Sequence, residues 1–120
     1  MKSILVADDS PTFLTLEKTF LRDFGVQIHS AQDGLTALRI AREQKPDLIL
    51  LDCEMPGLGG LECLRLLRAD PLFANTPIVL ISTLTDPDTI AQAKALGASD
   101  YLGKPINQQL LRARIARFLA

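Results

Sequence analysis

Short apolar runs alternate along this chain with longer stretches whose apolar residues recur every three or four positions. The runs cover residues 3–7, 26–30, 48–51, 77–81 and 100–103. The first, third and fourth are almost continuously apolar, the pattern of strands covered on both faces in the middle of a parallel sheet. The second alternates through Val26, Gln27, Ile28 and His29, and the fifth is very short; both suit sheet edges. Between the runs, Phe13, Leu16, Phe20 and Phe24 form one helical stripe, Leu61, Leu64 and Leu67 another, and Leu111, Ile115 and Phe118 the last. Ser10-Pro11 and Asp86-Pro87 set a capping side chain ahead of a proline at the first helical position. Gly25 and Gly97 fall where helix C-termini take a left-handed residue.

Strands alternating with helices across short connections predict an α/β architecture around one parallel sheet, with right-handed crossovers. Of the two strand orders common at this size, only 2-1-3-4-5 puts the second and fifth strands at the edges. The expectation is a flavodoxin-like three-layer sandwich with five helices, forming one domain over residues 1–120.

Composition adds exclusions. Hydrophobic residues make up 48% of the chain, enough for a core without disulfides. The formal net charge of −1 gives no general pull toward nucleic acid or an anionic membrane. No apolar run is long enough to span a bilayer, and the apolar N-terminus stops at Asp8-Asp9, too early for a signal peptide. A cytoplasmic protein is expected. Cys53 and Cys63 lack the spacing of a redox or zinc motif and read as reduced, mostly buried thiols.

The chemistry is expected beyond the carboxyl ends of the strands, where the strand order reverses between strands 1 and 3. Strand 1 ends in Asp8-Asp9 and strand 3 in Asp52. Adjacent strands lie about 4.8 Å apart, so three carboxylates converge. Like charges this close raise one another's pKa unless a cation intervenes, and an all-oxygen site favours Mg²⁺. Strand 4 ends in Ser82-Thr83, and strand 5 runs into Lys104-Pro105. Strand 5 is roughly 10 Å from strand 3, a distance that a lysine stem largely covers. An anionic nucleophile, a divalent cation, a hydroxyl and an ammonium are the parts that phosphoryl transfer needs. Aspartate requires no separate base. The single histidine, His29, lies on an edge strand far from this end, which argues against a Ser/His hydrolase and against a phosphorylated relay histidine.

Four blocks carry a resemblance that covers nearly the whole chain. They are Ile4-Leu5-Val6-Ala7-Asp8-Asp9-Ser10, the stretch from Pro46 through Leu51-Asp52-Cys53-Glu54-Met55-Pro56-Gly57, Pro77-Ile78-Val79-Leu80-Ile81-Ser82, and the stretch from Gly97 through Asp100-Tyr101-Leu102-Gly103-Lys104-Pro105. In this order and spacing they resemble the receiver domain of two-component response regulators. The resemblance implies that Asp52 accepts a phosphoryl group from a phosphohistidine on a sensor histidine kinase or phosphotransfer protein. It implies that Asp9, Asp52 and the backbone carbonyl of Glu54 hold Mg²⁺, with Asp8 assisting through water. Lys104 pairs with the phosphoryl oxygens, Ser82 moves to donate a hydrogen bond to them, and Tyr101 follows by rotating inward. Met55, Pro56 and Gly60 shape the loop after strand 3, and Lys104-Pro105 is a cis peptide. Two departures from the common pattern stand out. Thr83 stands where alanine or glycine is usual and narrows access to the site. Glu54 and Leu84 flank the pocket mouth, where residues tune the lifetime of the acyl phosphate; Leu84 offers no group to position water, so a long-lived phosphorylated state is expected.

The output surface implied by the resemblance is helix 4, strand 5 and helix 5, which meets an output domain, an effector protein or a second copy of the chain. Helix 5 carries Arg112, Arg114 and Arg117 with no acidic residue near in sequence. Rival functions fare less well. A haloacid-dehalogenase-type phosphatase would want Asp-x-Asp where Asp52-Cys53-Glu54 stands, and it would need room for a cap domain. A flavodoxin-like cofactor binder would need neutral donors where Asp8-Asp9 would repel a phosphate. A docking module independent of phosphorylation would have no use for the full set of acidic, hydroxyl and lysine side chains.

Overall fold

The computed structural model describes residues 1–119. Five strands, β1 (Ser3–Ala7), β2 (Gln27–Ala31), β3 (Leu48–Asp52), β4 (Ile78–Ser82) and β5 (Asp100–Gly103), form one parallel sheet of order 2-1-3-4-5. The connections carry helices α1 (Pro11–Leu21), α2 (Gly34–Gln44), α3 (Gly60–Ala69) and α4 (Pro87–Ala95), and α5 (Gln108–Leu119) follows β5. The expected order is therefore present, and β1, β3 and β4 are buried along their whole length. Three strands run one residue further than expected: β2 covers 27–31 rather than 26–30, β3 extends to Asp52, and β4 covers 78–82 rather than 77–81. Pro77 has no N–H to give the ladder, and only its carbonyl joins, accepting from Ile49 N.

Alternation along the central strands builds two cores. Ile4, Val6, Leu48, Leu50, Val79 and Ile81 face α1 and α5, where Leu14, Leu21, Leu111 and Ile115 pack. Leu5, Ile49, Leu51, Ile78 and Leu80 face the other way, against Ala37, Leu38, Cys63, Leu64 and Leu67 of α2 and α3 and Ala93 of α4. Period-two alternation in a strand sends successive side chains to opposite faces, so a run of apolar residues serves both layers.

The caps are as expected. Ser10 Oγ accepts from Phe13 N and Asp86 Oδ2 from Thr89 N, each ahead of a proline that opens a helix. Gly25 and Gly97 both have positive φ. The face of α1 differs from the expected one. Its buried residues are Leu14, Glu17 and Leu21, and Phe13, Leu16 and Phe20 only flank it. The aromatic residues outline the edges of the stripe, because α1 lays its centre on the sheet beside α5. The arginines of α5 also differ. Arg114 sits 2.7 Å from Asp100 Oδ1, Arg117 lies 3.3 Å from Asp100 Oδ2, and Arg112 is 3.4 Å from Asp23. Their acidic partners come from β5 and from the turn after α1, distant in sequence but adjacent in the fold.

Arg68, at the end of α3, ties the far end of the sheet together. Its guanidinium donates to Gly97 O (2.9 Å), Phe73 O (2.6 Å), Thr76 O (2.8 Å) and Ser99 Oγ (3.3 Å). Gly97 has φ +106, and a Cβ there would come within 2.9 Å of Arg68 Cγ. One planar fork thus satisfies three carbonyls from two connections, the one before β4 and the one before β5, that lack ladder partners. Arg68→Ala should cost about 3 kcal/mol, read as a lower urea midpoint, with Arg68→Lys recovering only part of it.

Glu17 is the anomaly of the core: a carboxyl side chain 1% exposed. Burial, reinforced by Asp8, pushes it up to about 8 against the opposing pull of Lys104. The folded chain therefore holds the Glu17 proton between pH 4.5 and about 8, where the unfolded chain has released it. The fold binds the extra proton, so stability falls as pH rises through that window, by up to about 1.4 kcal/mol per pH unit. Asp8, Asp52 and Lys104 are the charged groups that act on it. Unfolding midpoints should drop from about pH 5 to about pH 8, and Glu17→Gln should flatten the slope. An unchanged slope in that variant removes Glu17 as its origin.

Candidate functional site

The register of the sheet assembles the site. Ala7 pairs with Leu51, so one further step sets Asp8 beside Asp52. Asp52 pairs with Ile81 and Ser82 with Gly103, which brings Ser82 beside Asp52 and lets Lys104 leave β5 at the same level. The fold thus converts four strand ends into one cluster beyond the carboxyl edge.

Asp8, Asp9 and Asp52 each place one carboxylate oxygen within 4.8 Å of the others. Asp8 is 0% exposed and Asp52 1%, whereas Asp9 is exposed. Asp8 Oδ1 accepts from Ser10 N at 2.9 Å, and Asp52 Oδ1 accepts from Glu54 N at 3.1 Å. Their other oxygens, Asp8 Oδ2 and Asp52 Oδ2, are buried and have no hydrogen-bond partner among the described residues. Lys104 Nζ approaches them at 3.3 Å and 3.1 Å, with its cationic head 4.6 Å from the centre of the Phe13 ring. Burial opposes the charge on Lys104, but Asp52 and Asp8 outweigh it and hold the ammonium above the usual lysine range. Burial pushes Asp52 up to about 7, and Glu54 and Asp8 add to this while Lys104 opposes.

This donor set fits a hard divalent cation. It is all oxygen, two of its oxygens are buried with only the shared Lys104 ammonium beside them, and the third carboxylate opens to solvent. A single ammonium shared between two carboxylates leaves excess negative charge, which a cation would neutralise.

Around this centre, Ser82 is fully buried and its hydroxyl donates to Glu54 Oε1 at 2.8 Å. Thr83 donates to the same oxygen from its backbone N–H (2.9 Å) and from its side chain. Burial opposes the charge on Glu54, but hydrogen bonds from Thr83 and Ser82 outweigh it and draw the carboxyl down to about 2. Tyr101, expected to rotate inward, is already 8% exposed, with its hydroxyl donating to Leu84 O. Leu84 N in turn donates to Ser82 Oγ at 2.9 Å, and the Leu84 side chain projects into solvent.

The remaining expected positions shape the loop after β3. Met55 is buried in the α2–α3 core and Pro56 is exposed. A Cβ at Gly60 would lie 2.3 Å from Asp52 O, so only glycine lets α3 start this close to the end of β3. Lys104-Pro105 is cis, as expected. Cys53 is partly buried and Cys63 fully so, and burial pushes their thiols up to about 11 and about 12, which keeps both unreactive at neutral pH. Phe13 and Glu17 were missed as neighbours of the site, because both read as ordinary positions on a helix.

Comparison with known proteins agrees with this geometry. The family profile of the response regulator receiver domain matches residues 4–116. The chain is 35% identical over 120 residues to the protein PilH of Pseudomonas aeruginosa, covering 100% of this chain and 99% of that one. Other relatives are longer: the chain spans 48% of MtrA, a DNA-binding response regulator of Mycolicibacterium smegmatis, at 38% identity over 93% of this chain. Among solved structures, the chemotaxis protein CheY4 of Vibrio cholerae superimposes with a TM-score of 0.92 at 32% identity, over 98% of both chains. The receiver domain of sensor histidine kinase PA1611 from Pseudomonas aeruginosa, solved with a magnesium ion in its active-site cleft, gives 0.89 at 30% identity, over 98% of this chain and 97% of that one. No described helix is long and apolar enough to cross a membrane. An acidic cluster at the strand-order reversal, a lysine drawn in from the edge strand and a family match over nearly the whole chain all agree: this chain belongs to the response regulator receiver domains, the phosphoacceptor switches of two-component signalling.

Proposed function

We propose that Asp52 is the phosphoacceptor of this receiver domain and that Mg²⁺ is held by Asp8, Asp9, Asp52 and the backbone carbonyl of Glu54. The observation that carries this reading is the pair of buried oxygens of Asp8 and Asp52 that accept no well-aligned hydrogen bond and share one counter-charge, the Lys104 ammonium at 3.3 Å and 3.1 Å. When bound, the cation would supply charge neutralisation that keeps Asp52 ionised and lets an anionic donor approach. A carboxylate oxygen of Asp52 attacks phosphorus, the P–N bond to the donor imidazole breaks, and the imidazole nitrogen keeps the electron pair. The product is an acyl phosphate on Asp52. Lys104 pairs with the transferred oxygens, and Ser82 donates its hydroxyl to them.

The phosphoryl group adds about −1.5 to −2 charge and strong acceptor oxygens. It shifts a population only by binding one arrangement of Ser82 and Tyr101 better than another. That pair connects to the surface of α4, β5 and α5 through Leu84 and Asp100, so we assign this face to an output domain, an effector or a second copy of the chain. The donor is a sensor histidine kinase or phosphotransfer protein, and the setting is cytoplasmic.

Incubation with a small phosphodonor and Mg²⁺ should add the mass of one phosphoryl group. Asp52→Asn or removal of divalent cation by chelation should abolish the gain, and a phosphorylated Asp52→Asn protein would refute the assignment. The exposed, apolar Leu84 offers no group to orient an attacking water. Leu84→Glu should therefore shorten the acyl-phosphate lifetime several-fold in a time course of dephosphorylation; an unchanged lifetime would exclude a role for this position.

A further inference from the structure

Glu54 is exposed, and an exposed glutamate usually stays solvated because ordering its long side chain costs rotamer entropy. Here a single oxygen, Glu54 Oε1, gathers three donors: the Ser82 hydroxyl, the Thr83 backbone N–H and the Thr83 hydroxyl. All three stand at the end of β4, next to Asp52 on β3. They are the neutral donors on the β4 side of the cluster that could meet an anion carried by Asp52. The Glu54 carboxylate thus occupies, from within the chain, the donor set that the phosphoryl oxygens need.

We propose that Glu54 is a resting-state latch, an internal anion that holds Ser82 and Thr83 and competes with the phosphoryl group for them. This inference rests on Asp52 being the phosphoacceptor. In this role Glu54 is a positioning residue, since its carboxylate holds Ser82 and Thr83 and does not touch the transferred group. The latch extends to Tyr101. Ser82 Oγ accepts from Leu84 N, and Leu84 O accepts from the Tyr101 hydroxyl, so the turn that Glu54 pins also holds the acceptor of Tyr101. Because Tyr101 already lies inward, the rearrangement left for phosphorylation is the transfer of Ser82 and Thr83 from Glu54 to the new anion. Hydrogen bonds to an ionised carboxylate are the strong kind, so their loss must be offset before the switch moves.

The test uses beryllofluoride, a tetrahedral phosphoryl analogue that binds a carboxylate oxygen, titrated at saturating Mg²⁺. The chain has one tyrosine and no tryptophan, so intrinsic fluorescence reports Tyr101 alone, with ¹⁹F NMR counting bound analogue directly. Glu54→Asp decides the matter: it keeps the charge but shortens the side chain by one C–C bond, roughly 1.5 Å, too much to keep hydrogen bonds of this length. Both Glu54→Asp and Glu54→Gln should lower the half-saturating concentration about tenfold. If Glu54→Gln tightens binding and Glu54→Asp matches the parent, the effect is mere removal of charge and the latch is refuted. Parent-like binding in both, or weaker binding in both with unchanged melting, refutes it equally. Asp52→Asn serves as the separate control: its binding beryllofluoride like the parent would overturn the phosphoacceptor assignment, whatever the Glu54 variants do.

Discussion

The site depends on the Lys104 ammonium reaching the buried oxygens of Asp8 and Asp52 from the edge of the sheet. Two carboxylates with almost no solvent exposure cannot both stay charged in isolation, since desolvation and mutual repulsion each favour the neutral form. The lysine meets part of that cost, and the Ser10 and Glu54 amides meet more by donating to the remaining oxygens. What is left over is an excess of negative charge on an all-oxygen surface. That excess on an all-oxygen surface fits a divalent cation, and it follows from incomplete compensation in the resting fold.

The rest of the architecture keeps this cluster in register. Two cores on opposite sheet faces clamp β1, β3 and β4, so the strand ends cannot slip without burying polar groups or exposing apolar ones. Arg68 closes the opposite end of the sheet by satisfying loop carbonyls from the segments around β4 and β5. Asp100, buried on β5, is held ionised against the cost of burial chiefly by Arg114, and this fixes α5 to the strand that delivers Lys104. The site end is built differently. There the ties are single hydrogen bonds through the Glu54, Ser82, Leu84 and Tyr101 chain, which exchange partners more readily than packed side chains. Rigidity at one end and exchangeable bonds at the other suit a domain that must respond to one added charge.

Glu17 and Glu54 show how the same residue type takes opposite states within one small region. Burial beneath the site drives Glu17 toward its neutral form, while three donors hold Glu54 firmly ionised. The difference lies in the neighbours supplied by β1 and β4, not in the residue.

The strand order, the three carboxylates, the lysine and the caps were legible in the sequence because each rests on a local regularity: apolar runs, alternation, cap residues before proline, and acidic residues where those runs stop. Family-like blocks sharpened the roles of Ser82, Tyr101 and the cis Lys104-Pro105 bond. Other features needed the tertiary structure. Sequence reading placed Phe13 and Phe20 at the centre of α1 and missed buried Glu17, because spacing shows a stripe but not which of its lines meets the sheet. It left the α5 arginines without partners, because Asp100 and Asp23 become neighbours only when strands and helices pack. It read Glu54 as a rim residue, and only the approach of β4 to β3 turned that carboxylate onto Ser82 and Thr83. The chain itself therefore determined which elements form and where the reactive groups end, since those depend on contacts within a few residues. The packed sheet decided which charges are paired, neutral or held in reserve, since burial and partners from distant segments exist only in the fold.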